Sequence, residues 1–230
     1  MPLVTTKRDG KVLVVEFARP DKGNALSRQL QQDLALVWEE FDDDDVMSIA
    51  VLHGADGVFS IGHDVEELAS GSGEGASPIP EAGIFPMSLR KPVIAAIEGP
   101  CYGLGFELAL ACDLRIAGAG AKFGIPDLKL PVAYRVASVL LPRMTFLGLS
   151  FDLINTGRVL DANQAYANRL VNTVVSNGQA LAEATNAAKG MAERFSDTNA
   201  EEKRHIWGLS GLPIPYAMSL ARETGPIARI

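Results

Sequence analysis

The chain has 230 residues, 47% of them hydrophobic and 21% charged, which is enough apolar sequence for one substantial core. A net charge of −7, with no dense block of Lys or Arg, weighs against nucleic-acid or anionic-membrane partners. No apolar run reaches the roughly 18–20 residues of a membrane span, and MPLVTTKRDG lacks the apolar centre of a signal peptide, so a cytoplasmic protein is expected.

The first elements alternate in period. Val12 to Phe17 is a short β-rich run. Ser27 then offers a helix N-cap, and Leu30, Leu34, Val37, Trp38 and Phe41 follow at helical three-and-four spacing. An acidic turn, Asp42 to Asp45, leads to a second β run, Ile49 to His53. Strand, helix and strand recur through Pro92–Ile97 and Leu114–Ala117, which reads as an α/β fold with crossover connections. Residues 70–85, with four glycines and two prolines, predict a mobile loop.

Residues 91–118 carry the chemistry. The apolar run to Ile97 stops at Glu98-Gly99-Pro100, and Gly103-Leu104-Gly105 opens directly into an apolar helix pattern. Glu107 stands in its first turn, just ahead of Leu108, Ala109, Leu110 and Ala111. A strand, a Gly-x-Gly turn and a helix start bring unpaired backbone N–H groups close to a carboxylate. Such an arrangement can stabilise an oxyanion while a proton moves. Burying Glu107 unpaired would be costly, so the residue has a job; a cap at the helix N-terminus is the structural alternative to proton transfer. No third glycine follows at dinucleotide-motif spacing. Cys101 and Cys112 show neither CxxC nor Cys/His ligand spacing, so reduced, buried thiols and no metal are expected.

From Ala180 the pattern is helical through Leu181, Ala184, Ala188 and Met191. Ile206, Trp207, Met218 and Leu220 continue it, with an interruption at Gly208–Pro213.

Several segments share one likeness. Arg19-Pro20 with Asn24-Ala25-Leu26, the loop Phe59-Ser60-Ile61-Gly62-His63-Asp64, residues 91–118, and Phe123-Gly124-Ile125-Pro126-Asp127 resemble the enoyl-CoA hydratase/isomerase (crotonase) family. Thr156-Gly157-Arg158 with Asp161-Ala162, and Leu170-Val171-Asn172 with Val174-Val175, extend the likeness over residues 10–195. The resemblance implies a crotonase-like spiral of β-β-α repeats over residues 1–195 and a helical segment, 196–230, for packing and oligomerisation. It implies an oxyanion hole from the backbone N–H groups of His63 and Leu104, and proton transfer by Glu107 and Asp127. It places substrate and coenzyme A along Ser60, Ile61, Gly62, Asp64, Gly103 and Gly105, with Lys22 as a weak phosphate candidate. The implied partner is an acyl-CoA thioester, with coenzyme A entering as part of the substrate and no separate cofactor, in a homotrimer or dimer of trimers.

Hydration of a 2-enoyl-CoA, as in fatty acid metabolism, is the leading expectation. Double-bond isomerisation with one working carboxylate and non-catalytic acyl-CoA binding are the alternatives. The sequence departs from the family at Asp127, where the family has Glu. The shorter side chain withdraws the carboxylate by about 1.5 Å, one C–C bond. It departs again at Leu130–Val136, where a glycine-rich turn is replaced and Tyr134-Arg135 reads as a solvated helix face, with a hydrogen-bond donor or anion partner reaching the pocket as the alternative. His63 is expected to act through its backbone, Asp64 to organise its loop, and His53 and His205 to be structural.

Overall fold

The structure, a computed structural model, describes residues 2–70, 82–130 and 132–224. In chain order, β1 (Val4–Asp9), β2 (Val12–Phe17), α1 (Arg28–Asp43), β3 (Ile49–Gly54) and α2 (Val65–Ser70) are followed by β4 (Val93–Ile97), β5 (Pro100–Tyr102) and α3 (Leu104–Ala111). Next come β6 (Leu114–Gly118), β7 (Lys122–Gly124), α4 (Arg135–Met144), α5 (Leu147–Thr156), β8 (Val159–Asp161), α6 (Ala162–Ala167) and β9 (Thr173–Val175). The chain then becomes helical, in α7 (Ala180–Ala192), α8 (Asp197–Leu209) and α9 (Ile214–Thr224).

The larger sheet has the order β1-β2-β3-β4-β6-β9. Only its β1–β2 pair is antiparallel; the others run parallel. Parallel pairing demands crossovers, and both faces are covered accordingly. On one face, Ala50, Leu52, Val93, Ala95 and Ile97 pack with Leu30, Leu34, Trp38 and Phe41 of α1. On the other, Ile49, Val51, Ile94 and Ala96 meet Ala180, Ala184, Ala188 and Ala192 of α7. The four-residue spacing of those alanines makes a smooth stripe that lets α7 lie close to the sheet. α1 starts where Ser27 predicts, with the Leu30 N–H donating to Ser27 Oγ at 3.3 Å.

A smaller sheet, β5-β7-β8, lies beside it. Bridges between Leu26 and His63, and between Ser60 and Cys101, continue its ladder towards the start of the chain. Each turn of the chain therefore gives one strand to the large sheet, one segment to the small one, and then a helix. β4-β5-α3 and β6-β7-α4 show the unit plainly, and its repetition is the spiral the resemblance implies. Stacked turns bring the segment at residues 60–63 against residues 101–104.

Most of the predicted loop at 70–85 lies outside the described residues. Its last part departs from the expectation: Ile84 and Phe85 are buried in the core, and Trp38 Nε1–H donates to the Ile84 carbonyl at 2.9 Å. Cys101 and Cys112 are buried free thiols, as predicted, and burial pushes Cys112 up to about 12. No helix among the described residues is long and apolar enough to cross a membrane. α8 is tied down by a polar cluster. Lys203 Nζ, only 6% exposed, donates to the carbonyls of Pro86 and Lys91 and to Asp113 Oδ2, while Trp207 Nε1–H donates to Asp113 Oδ1.

Candidate functional site

The loop at residues 59–64 is shaped by side chains from the preceding turn of the spiral. Asn24, buried and at φ +53°, takes the Arg19 N–H on Oδ1 and donates through Nδ2 to the carbonyls of Ala55 and Val58. The Arg19 guanidinium donates to the Ala25 carbonyl and, at 2.6 Å, to Asp64. The other Asp64 oxygen accepts the N–H groups of Glu66 and Glu67 and so caps α2. Burial alone would raise the Asp64 carboxyl; Arg19 and the two N–H donors outweigh it and hold it below its ordinary range. Asp64 thus organises its loop. Ser60 Oγ accepts the Gly62 N–H at 3.1 Å, closing the turn from inside.

The second loop is pressed against the first, and glycines make the approach possible. Gly62 sits at φ +98°, and a methyl group there would lie 2.8 Å from the Tyr102 carbonyl oxygen and 3.2 Å from Leu104 N. One on Gly105 would lie 2.7 Å from Ser60 Cβ. The His63 and Leu104 N–H groups donate to no described residue. Leu104 is the first residue of α3, where an N–H has no partner within the helix. Two neighbouring loops therefore expose unpaired amides, an arrangement suited to an oxygen that gains negative charge.

Glu107 lies one turn further into α3 and is 1% exposed. Its Oε1 accepts the Ala137 N–H at 2.9 Å, in the first turn of α4. Burial pushes its carboxyl up to about 7, although the Ala137 and Val136 N–H groups pull the other way. A carboxyl held near neutrality can take up or give back a proton in the working pH range. The capping alternative is also realised, but on α4: Glu107 supplies the oxygen that the cap residue Tyr134 does not, since Tyr134 makes no side-chain cap.

Asp127 occupies a different environment. It is exposed, on the turn after β7, and its carboxylate accepts no hydrogen bond from a described residue. Its charge still acts, with that of Glu107, on the Tyr134 phenol.

Tyr134 corrects the sequence expectation. Arg135 is exposed, but Tyr134 is half-buried at the centre of the site. A methyl group on Gly103 would lie 3.4 Å from Tyr134 Oη and 3.5 Å from its Cε1, so the phenol rests directly on that loop. Its ring meets the His63 ring edge-on, with centroids 6.0 Å apart. Burial, then the charges of Glu107 and Asp127, push the phenol up to about 12, so it keeps its proton. The only sequence signal was the replacement of small residues by Tyr at a turn.

The His63 ring is 9% exposed and its nitrogens have no partner among the described residues. Burial pushes it down to about 4, so it is neutral at pH 7. Ile61 is half-exposed, packed over Gly23. Lys22, the weak phosphate candidate, holds both Glu66 oxygens at 2.9 Å on the surface.

The sequence matches the family described as enoyl-CoA hydratase/isomerase over residues 7–207. It is 34% identical to enoyl-CoA hydratase EchA19 of Mycobacterium tuberculosis, over 83% of this chain and 75% of the relative. It is also 34% identical to carnitinyl-CoA dehydratase of Escherichia coli K12, over 94% of this chain and 84% of that one. Among solved structures, an enoyl-CoA hydratase from Bacillus anthracis superposes with a TM-score of 0.88 at 26% identity, covering 96% of this chain and 89% of that one. An enoyl-CoA hydratase from M. tuberculosis H37Rv gives 0.87 at 28% identity, covering 97% and 89%.

Proposed function

We propose that this chain, which belongs to the enoyl-CoA hydratase/isomerase family, catalyses the reversible addition of water to a 2-enoyl-CoA thioester. The observation that carries the reading is the Glu107 carboxyl, buried and held near pH 7, one helical turn from the unpaired Leu104 N–H. In this reading the thioester oxygen lies between the His63 and Leu104 amides. Glu107 takes a proton from water as the water oxygen bonds to Cβ. The electron pair of the double bond moves to the thioester oxygen, where the two amides hold it. Collapse of that enolate takes the proton from Glu107 to Cα, which completes the addition of H and OH. One well-held amide donor contributes about 3 kcal/mol to such a step. Ser60, Ile61, Gly62, Asp64, Gly103 and Gly105 shape the two loops along which coenzyme A would lie. No separate cofactor enters the scheme, and a cytoplasmic trimer or dimer of trimers is part of the same reading.

The exposure of Asp127 favours one second reading, isomerisation between 3-enoyl- and 2-enoyl-CoA, which needs a single proton carrier. The purified protein is to be given each thioester in turn, with loss or gain of the conjugated-enoyl absorbance followed. Hydration predicts loss of signal from the 2-enoyl thioester and a 3-hydroxyacyl product. Gain of signal from the 3-enoyl thioester without any 3-hydroxyacyl product would establish isomerisation instead. Tight thioester binding with neither conversion would leave only the non-catalytic role.

A further inference from the structure

Hydration requires a second polar group to orient the water that Glu107 deprotonates, and Asp127 is exposed, whereas Tyr134 is half-buried against both loops. We propose that the Tyr134 hydroxyl is that group, orienting the water against Glu107. The inference rests on the hydration reading above.

Three relationships support it. The phenol lies against Gly103, the residue immediately before the unpaired Leu104 amide, close enough that a methyl group on Gly103 would touch Oη at 3.4 Å. Its ring edge rests on His63, which carries the other unpaired amide. Tyr134 is also the cap residue of α4, and that helix's first turn donates the Ala137 N–H to Glu107. A single turn of backbone therefore sets both the carboxylate and the phenol, so their mutual geometry does not depend on a mobile loop. Burial and the fields of both carboxylates keep the phenol protonated, which leaves an oxygen that can accept as well as a hydrogen that can donate.

In the forward direction water donates one hydrogen to Glu107 and the other to Tyr134 Oη. Only the hydrogen on Glu107 is transferred, and it ends on Cα; Tyr134 keeps its own proton throughout. In the reverse direction the same hydrogen bond holds the β-hydroxyl as its C–O bond breaks and Glu107 protonates it. A phenol reaches further from its backbone than an aspartate does. This is how the chain can keep a water-positioning group although the family's second glutamate is shortened here.

The test compares two reactions in the same protein: hydration of a 2-enoyl-CoA, and exchange of the Cα hydrogen of a saturated acyl-CoA with deuterium from solvent. Exchange uses Glu107 and the amides but no positioned water. Tyr134→Phe is expected to lower kcat for hydration about 100-fold more than it lowers exchange, with KM changed less than about threefold. Asp127→Asn should lower hydration at least tenfold less than Tyr134→Phe. Equal losses of hydration and exchange in Tyr134→Phe would overturn the proposal, as would hydration close to wild type in that variant. An Asp127→Asn loss as large as that of Tyr134→Phe would restore the two-carboxylate site and overturn it too. If wild-type protein neither hydrates nor exchanges, the hydration reading itself fails, an outcome distinct from failure of the tyrosine.

Discussion

The Glu107 carboxylate accepts the Ala137 N–H at 2.9 Å, and this bond joins two helices that are thirty residues apart in sequence. It ties the start of α3 to the start of α4, whose N-terminal amides act on the buried carboxylate. The geometry pulls the carboxylate in two directions. Desolvation raises its proton affinity, and the α4 amides lower it. Desolvation wins, and the result is a group near pH 7 instead of a fixed anion.

A stability consequence follows with a definite sign. The Glu107 carboxyl moves from 4.5 to about 7 on folding, so the folded state holds the proton more tightly than the unfolded state does. Stability therefore falls as pH rises through that window, by about 3 kcal/mol in order of magnitude. Glu107→Gln cannot ionise and loses this dependence. Urea unfolding at pH 4.5 and at pH 8 should show the variant gaining on wild type at the higher pH. Parallel curves for the two proteins would contradict the assignment.

The same group sets the rate profile. Glu107 must be ionised to accept the proton of water, so kcat/KM for hydration should rise with pH through about 7 and level off above it. The neutral His63 ring, already deprotonated above about 4, adds no second limb near neutrality. His63→Ala should leave the midpoint of the profile where it is. A midpoint displaced by a unit or more in that variant would mean that the imidazole, and not the carboxyl, is being titrated.

Much of this organisation was legible in the sequence, because it rests on local chemistry. Ser27 caps the helix it precedes, Asp64 caps its own loop, and the glycines at 62, 103 and 105 stand where the two loops meet. What the sequence did not reveal depends on contacts between distant turns. Tyr134 looked like part of a solvated face because nothing in its neighbours encodes that the start of α4 passes over Gly103. The exposure of Asp127 is likewise not recorded in its spacing from Glu107. Nothing in the sequence around Lys203 marks it out, yet its ammonium is buried against a carboxylate ninety residues away.

Close approach of the two loops gives a third prediction. A β-carbon on Gly105 would lie 2.7 Å from Ser60 Cβ and 2.8 Å from its Oγ, and Ser60 Oγ also closes the Gly62 turn. Gly105→Ala should separate the amides of His63 and Leu104 by a fraction of an ångström. Because catalysis is sensitive to such displacement, about 100-fold should be lost from kcat/KM, with a stability cost of about 1–3 kcal/mol from overpacking. Steady-state kinetics beside a thermal melt would measure both. Unchanged kinetics in a folded Gly105→Ala protein would mean that the spacing of these loops is not critical.

The last prediction concerns how the helical tail is held. Asp113 receives the Val93 N–H and Lys203 Nζ on Oδ2 and the Trp207 Nε1–H on Oδ1, so β4 and α8 meet on one carboxylate. Lys203 spreads its other bonds over the Pro86 and Lys91 carbonyls. Removing one partner of such a pair leaves the other charge buried and uncompensated, which costs about 3–5 kcal/mol. Removing both charges while keeping the volume costs much less. Lys203→Ala should therefore lower the unfolding free energy by about that amount and expose α8 to proteolysis. Lys203→Met combined with Asp113→Asn should recover most of the loss, because the Asn carbonyl can still accept from Trp207 or Val93. Limited proteolysis and chemical denaturation of the three proteins would decide it. If Lys203→Ala unfolds no earlier than wild type, the tail is anchored by its apolar contacts, and the buried ion pair contributes little to holding it.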